Sequence, residues 1–427
     1  MKVLMFGWEF PPHISGGLGT ACYGLSKGFA TLPDVELQFV VPKAWGDEDQ
    51  SNMRLIGANN IEVSQRVINY KGYSKELNFI EVNSRIMPYT DPEEYYRLVN
   101  SSQNGKVSFI HTGPNKTFEF TGKYGASLYQ EIDNYAVVAS ILGSDLDFDV
   151  IHAHDWLTYP AGIAAKMVSG KPLVVHVHAT DFDRSGGSVN PTVFDIEKRG
   201  MEAADRVVTV SNLTRDIVIN KYGIDAAKVV TVYNAVEPLA EKEQLDITKG
   251  IDDKIVTFLG RITFQKGPEY FIEAANKVLK KMDNVRFVMA GSGDMMNKMI
   301  RRAARLGITD RFHFTGFLAG DDVYKMYAIS DVYVMPSVSE PFGIAPLEAI
   351  QSNVPVIISH QSGVAEILKH AVKVDFWDID AMADAIYGIL SYDALSDTFK
   401  KMGKAEVDNL KWENSAAQLR DIYKTII

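Results

Sequence analysis

Cysteine is nearly absent: among 427 residues there is one, Cys22, so the chain cannot close an internal disulfide and fits a reducing compartment. Nor does any apolar run approach the roughly 18 to 20 residues that cross a bilayer, which argues against a membrane-spanning helix. The opening Met1 to Phe6 is too short an apolar run for a signal peptide and reads as a first strand, making the cytoplasm the expected location. Long basic stretches are missing too, and the formal charge is −10. That balance disfavours nucleic acid as a main partner, and a strongly anionic membrane surface likewise. The glycine spacings of a P-loop and of the dinucleotide fingerprint do not occur. The run Gly24-Leu25-Ser26-Lys27-Gly28 and Cys22 both fall inside a helical pattern rather than at a strand-to-helix elbow, so a serine or cysteine hydrolase is disfavoured. Low-complexity segments and short repeats are absent.

What remains is an ordinary globular composition, 46% apolar and 23% charged, in a chain longer than one hydrophobic core usually serves. Short apolar runs alternate with helical patterns: Val3 to Gly7, Val35 to Val41, Asp149 to Ala153, Pro172 to His178, Arg206 to Val210 and Val229 to Val232 read as strands. A polar stretch from about 238 to 253 reads as a linker, after which strands recur at Lys254 to Leu259, Val285 to Ala290, Phe312 to Thr315, Asp331 to Met335, Val354 to Ser359 and Val372 to Val374. Such alternation implies doubly wound parallel sheets. The expected architecture is α/β: an N-terminal Rossmann-like domain over 1–237, a second one over 254–410, and a final helix over 411–427 returning to the first. The two domains are expected to face each other across a ligand cleft at their strand C-terminal ends.

Residues from about 44 to 125 break this order. The stretch is polar and rich in tyrosine, including Tyr70, Tyr73, Tyr89, Tyr95, Tyr96 and Tyr124. An insertion of that length is often functional. Its tyrosines suit stacking on sugar rings, or equally the core of a small packed subdomain.

Chemistry concentrates in a few turns. Ser339 to Glu348 follows an apolar strand: Pro341 disfavours a helical Glu340, Gly343 admits close backbone approach, and Pro346 suits a first helical turn. A helix start near Ile344 would attract anions, with Glu340 beside it and Glu348 one turn in. That is a mouth for a ligand carrying phosphate and hydroxyls; the plainer alternative is a helix cap and a solvated face. Arg261 and Lys266 sit on the turn after the first strand of the second domain, where a guanidinium fork and an ammonium suit a diphosphate. Gly16 and Gly17 follow the first strand of all and open a helix. His152, His154, His176 and His178 end two neighbouring strands; they admit a metal, structural hydrogen bonds or active-site contacts. Lys298, Arg301, Arg302 and Arg305 line one helix, a solvated face or a lipid-facing one.

Taken together, Glu340 and Glu348 with seven residues between them, Arg261 and Lys266 ahead of them, and the Gly16-Gly17 turn resemble retaining glycosyltransferases of the two-Rossmann-domain (GT-B) class, families 4 and 5. The run His152 to Thr158 and the early insertion look like glycogen and starch synthases in particular. The resemblance implies transfer of glucose from ADP-glucose or UDP-glucose to the non-reducing end of an α-1,4-glucan, without metal or further cofactor. It implies catalytic roles for His178, Arg261, Lys266 and Glu340, with the cations holding the donor diphosphate, Glu340 the sugar hydroxyls and His178 beside the anomeric carbon. Gly16, Gly17, Phe342, Gly343 and Ile344 would contact the donor through their backbone, Glu348 its ribose, and Phe317 or Leu318 its base. Asp155 would lie on the acceptor side. The partners implied are the nucleotide-sugar and a carbohydrate, with room for an oligomer. Two positions depart from bacterial glycogen synthases, which carry a lysine just ahead of the glycine pair, where this chain has Ser15, and a tyrosine at Glu348. These point to the broader sucrose-synthase and mannosyltransferase-like family, with small-sugar, polysaccharide or lipid-linked acceptors as the alternative. A GT-B epimerase or phosphorylase, or a binding protein with a degenerate site, are more distant alternatives.

Overall fold

The computed structural model describes residues 1–13, 16–63, 117–125, 127–238 and 249–427. Ser15, most of the tyrosine-rich insertion and most of the linker lie outside the described residues.

In chain order the first elements are β1 (Lys2–Phe6), α1 (Gly17–Ala30), β2 (Glu36–Val41), β3 (Arg54–Gly57), α2 (Leu128–Asp145), β4 (Val150–His154), α3 (Tyr159–Ser169) and β5 (Leu173–Val177). There follow α4 (Asp181–Ser185), α5 (Pro191–Ala203), β6 (Arg206–Thr209), α6 (Asn212–Tyr222) and β7 (Val229–Thr231). The second series is β8 (Lys254–Leu259), α7 (Pro268–Leu279), β9 (Val285–Ala290), α8 (Met296–Leu306), β10 (Phe312–Gly316), α9 (Asp321–Ala328) and β11 (Val332–Met335). It continues with α10 (Ala345–Gln351), β12 (Val356–Ser359), α11 (Val364–Ile367), β13 (Val372–Val374), α12 (Ile379–Ser391), α13 (Asp393–Val407) and α14 (Trp412–Tyr423).

The strands form two parallel sheets. One has the order β3-β2-β1-β4-β5-β6-β7 and the other β10-β9-β8-β11-β12-β13. Parallel sheets are covered on both faces, so their central strands are apolar almost without alternation. Val3, Leu4, Met5 and Phe6 of β1 are all fully buried, and β8 and β11 bury Val256, Phe258, Val332 and Val334. Strand order reverses between β1 and β4 in the first sheet and between β8 and β11 in the second, and open α/β sheets bind ligands at the carboxyl ends beside such reversals. The turns after these four strands carry Gly16-Gly17, Asp155, Arg261 to Gly267, and Glu340.

Two compact units divide the chain. The first comprises residues 1–176, 196–207 and 420–427; the second comprises 177–195 and 208–419. In the first unit the end of α14 is held by Tyr423, whose hydroxyl meets His152 Nδ1 at 2.5 Å, and by Lys424 and Arg420 against Asp34. In the second unit, Phe271, Ile272, Ala274, Ala275 and Val278 put an apolar stripe of α7 into the core at helical spacing. Its outer face pairs with the basic helix: Lys298 with Glu269 and Arg302 with Glu273, both at 2.5 Å.

Candidate active site

In the second unit, backbone packing fixes the turn after β8 before any charge is considered. Gly267 has φ +65°, and a Cβ there would lie 2.0 Å from the Pro336 carbonyl oxygen, so the position admits glycine alone. Val338 N–H donates to Gln265 O at 2.8 Å, binding this turn to the one after β11. Pro268 then starts α7, which places Lys266 just before the helix.

The turn after β11 is strapped just as firmly. Glu340 N–H donates to Gln361 O at 2.9 Å, Gly363 N–H to Glu340 O at 2.9 Å, and Val364 N–H to Phe342 O at 2.8 Å. Phe342 is buried in the core, and at Gly343, with φ +99°, an added Cβ would lie 3.1 Å from Glu340 Cγ and 3.2 Å from Met335 Cε. Between the two turns Lys266 Nζ pairs with the Glu340 carboxylate, which also accepts the Ser337 hydroxyl at 3.2 Å. Lys266 is partly exposed and Glu340 buried. Arg261 is exposed, its guanidinium steadied by the buried Gln265 at 3.0 Å.

Glu348 lies in the first turn of α10, whose flanking residue is Ile344 and which carries Pro346 near its start. Burial pushes its carboxyl up to about 7, against a smaller lowering by the Tyr327 hydroxyl 3.5 Å away. Among the described residues that distant hydroxyl is the hydrogen-bond partner of the half-buried carboxyl, which leaves acceptor capacity for a ligand. Past β10, Leu318 packs on Ile255, Val288 and Met326, while Phe317 is 68% exposed. His178 is partly buried, and burial holds its pKa near 3, so the imidazole is neutral across the physiological range.

The structure thus gathers Lys266, Glu340, Ser337, Gln265 and Arg261 at adjoining turns of one sheet. Gln265 and Ser337 were not singled out from the sequence; their only signal was adjacency to named charges.

In the first unit, Gly16 stands before α1 in extended backbone and Gly17 begins the helix; both are exposed, and among the described residues a Cβ on either would meet nothing within 4 Å. Asp155, buried, adopts φ +59°, a left-handed conformation that costs a non-glycine residue about 1 kcal/mol or more. Its N–H donates to His176 O at 2.9 Å, and its carbonyl accepts from Thr158 N–H at 3.0 Å. His152, His154 and His176 are fully buried and stack, with ring centroids 4.3 to 5.3 Å apart and interplanar angles of 6 to 28°. Their nitrogens lie within 4.8 Å of one another. Near-parallel rings aim their lone pairs side by side, whereas a shared metal at about 2.0–2.1 Å requires them to converge. The stack reads as packing.

Comparison with known proteins decides the family. Residues 241–406 match the model of the glycosyl transferases group 1, and residues 86–238 that of Glycosyltransferase Family 4. The chain is 30% identical to an uncharacterized glycosyltransferase of Methanocaldococcus jannaschii, over 99% of this chain and 98% of the other. It belongs to the GT-B glycosyltransferases. This glycosyltransferase is also 22% identical to a Mycobacterium tuberculosis glycogen synthase, over 99% and 94% of the two chains. Among solved structures it resembles a sucrose-phosphate synthase of Thermosynechococcus elongatus, with a TM-score of 0.71 at 18% identity over 99% and 98% of the two chains. It also resembles Anabaena HepE in complex with UDP-glucose, with a TM-score of 0.66 at 15% identity over both whole chains.

Proposed function

We propose that this glycosyltransferase moves glucose, with retention and without a metal, from a nucleotide-glucose to the non-reducing end of an α-1,4-glucan. The observation that carries the reading is the Lys266–Glu340 pair flanked by Arg261 at the switch point of the second sheet. A leaving diphosphate needs positive charge where its own charge develops, and two cations on rigid turns supply it without reorganisation. With the donor absent, Lys266 is neutralised by Glu340. A bound diphosphate competes for the ammonium, and the glutamate is then available to accept donor-sugar hydroxyls.

In the transfer, the bond from the anomeric carbon to the phosphate oxygen breaks and the acceptor oxygen bonds to that carbon on the same face. The acceptor proton passes to the departing phosphate oxygen, so atoms and charge balance with no external base. Neutral His178 donates or accepts a hydrogen bond beside the sugar and does not become an imidazolium at working pH. Glu348 accepts the ribose hydroxyls, Phe317 stacks on the base beside Leu318, and the Phe342 to Ile344 backbone and Gly16-Gly17 contact the donor. Asp155 serves the acceptor side. A cytoplasmic location suits both substrates.

A small-sugar acceptor is the second reading, favoured by Glu348 in place of the tyrosine of bacterial glycogen synthases. A mannosylfructose-phosphate synthase of Agrobacterium fabrum, 23% identical over 65% of this chain, has a name that points the same way. A screen of ADP-, UDP- and GDP-sugars against glycogen, maltooligosaccharides and small sugars, in EDTA, separates the two by nucleotide release and by the anomeric NMR signal of the product. Release with glucan and an α-linked product supports the first reading; release with small acceptors alone supports the second; an inverted anomer or strict metal dependence overturns the mechanism.

A further inference from the structure

The segment that carries His178 is tied to the turn that carries Glu340 by one carboxylate. Asp183 Oδ2 accepts both the N–H and the hydroxyl of Thr180, each at 2.8 Å, which closes a capping box at the start of α4. Its other oxygen, Oδ1, accepts the hydroxyl of Ser339 at 2.6 Å, 156 residues away in sequence. Thr180 lies two residues after His178, and Ser339 immediately precedes Glu340. Asp183 is 1% exposed, so both bonds are shielded from water.

A second contact supports the same tie. Gly186, at φ +62° just past α4, has the Phe264 ring so close that an added Cβ would lie 2.5 Å from it. Phe264 begins the short 3-10 turn that ends at Lys266. The His178 segment is therefore braced against the Lys266 turn by an aromatic ring and against the Glu340 turn by a charged hydrogen bond.

A helix cap alone needs one carboxylate oxygen. The second oxygen adds nothing to the cap, and anchoring both sides of the carboxylate fixes distance and rotation together. We infer that Asp183, acting through Ser339, is a positioning residue that holds His178 in register with the Lys266–Glu340 pair. The inference rests on the donor-site reading above. A displacement of about 1 Å at a reacting centre costs up to about 100-fold in rate, which sets the scale of the effect.

The test separates cap from tie. Ser339→Ala deletes the tie and spares the capping box, so kcat should fall roughly 10- to 100-fold while donor KM and the melting temperature stay near wild type. Asp183→Ala removes both, lowering kcat and melting temperature, and the double variant should be no slower than Asp183→Ala. Asp183→Asn should restore most of kcat, because the amide oxygen serves Thr180 while its N–H donates to the Ser339 oxygen. UDP release from UDP-glucose gives the rates. Amide hydrogen exchange of residues 178–187 in the protein without donor gives a readout independent of the donor, and exchange there should rise in Ser339→Ala. Unchanged exchange, wild-type kcat in Ser339→Ala, or additive effects of the two alanine variants would overturn the inference. Wild-type turnover by Lys266→Ala would instead sink the donor-site reading, leaving the exchange result to report on the tie itself.

Discussion

The two sheets reverse strand order in the same way, but the turns at their switch points are built differently. In the second unit the turns after β8 and β11 are packed backbone to backbone, strapped by hydrogen bonds and charged. In the first unit the glycine pair after β1 has no described neighbour within reach of an added Cβ, and the turn after β4 holds a strained Asp155. Rigidity and fixed charge suit a site that must meet a diphosphate the same way each time. Open glycines suit a surface that something else must complete. On the proposed reading, the donor diphosphate meets the second unit's rigid turns, and the first unit's glycines should be sensitive to ligand rather than to packing.

The largest effect should come from the charge. Lys266→Ala and Glu340→Ala should each lower kcat by about 100- to 1,000-fold, the scale of losing one preorganised group at a developing charge. Circular dichroism should still report a folded chain, although Lys266→Ala leaves the buried Glu340 carboxylate with Ser337 as its remaining side-chain partner among the described residues and should lower the melting temperature. Full turnover in both folded variants would remove the charged turns from the chemistry and erase the contrast.

Packing comes next. Gly267→Ala forces a Cβ to within 2.0 Å of a carbonyl oxygen in a left-handed backbone, so it should destabilise by roughly 3 kcal/mol or more. A urea midpoint equal to wild type would show that this turn is looser than its contacts imply.

Glu348 sharpens the electrostatic side. Its carboxyl is raised to about 7 from the ordinary glutamate value of 4.5, so the native state holds a proton that the unfolded chain releases between those values. Stability therefore falls as pH rises from about 4.5 to 7, and the penalty persists above. Glu348→Gln should stabilise the protein by on the order of 2 kcal/mol at pH 8 and by almost nothing at pH 4. If the carboxylate accepts ribose hydroxyls, donor KM should fall as pH rises through 7 in the wild type, and Glu348→Gln should abolish that dependence. A flat wild-type profile would return Glu348 to a purely structural role.

How much of this was legible beforehand follows from the kind of signal involved. The alternating strands were plain because a parallel sheet buries both faces, leaving runs such as Val3 to Phe6 without polar interruption. The helix start near Ile344 and the turn at Gly267 were legible because proline and glycine are read locally. Local signals said nothing of Asp183 and Ser339 as a pair, because their bond spans 156 residues and each is an ordinary polar residue in its own segment. The half-buried state of Glu348 was equally hidden, since it depends on Tyr327 of α9, an element not singled out from the sequence. The basic helix α8 also depended on a neighbour, for the acids that pair with it lie on α7.

The smallest effect tests the first unit. At Gly17 a methyl group meets no neighbour among the described residues, and alanine is the better helix former by up to about 1 kcal/mol, so Gly17→Ala should leave stability unchanged or slightly raised. If the backbone there approaches the donor, the same methyl should cost about tenfold in kcat/KM for the nucleotide-sugar. Opposite signs on stability and activity would be the signature of a glycine kept for a ligand. Parallel losses would mean that the turn is packed like its counterpart at Gly267, and unchanged activity would confine the donor to the second unit.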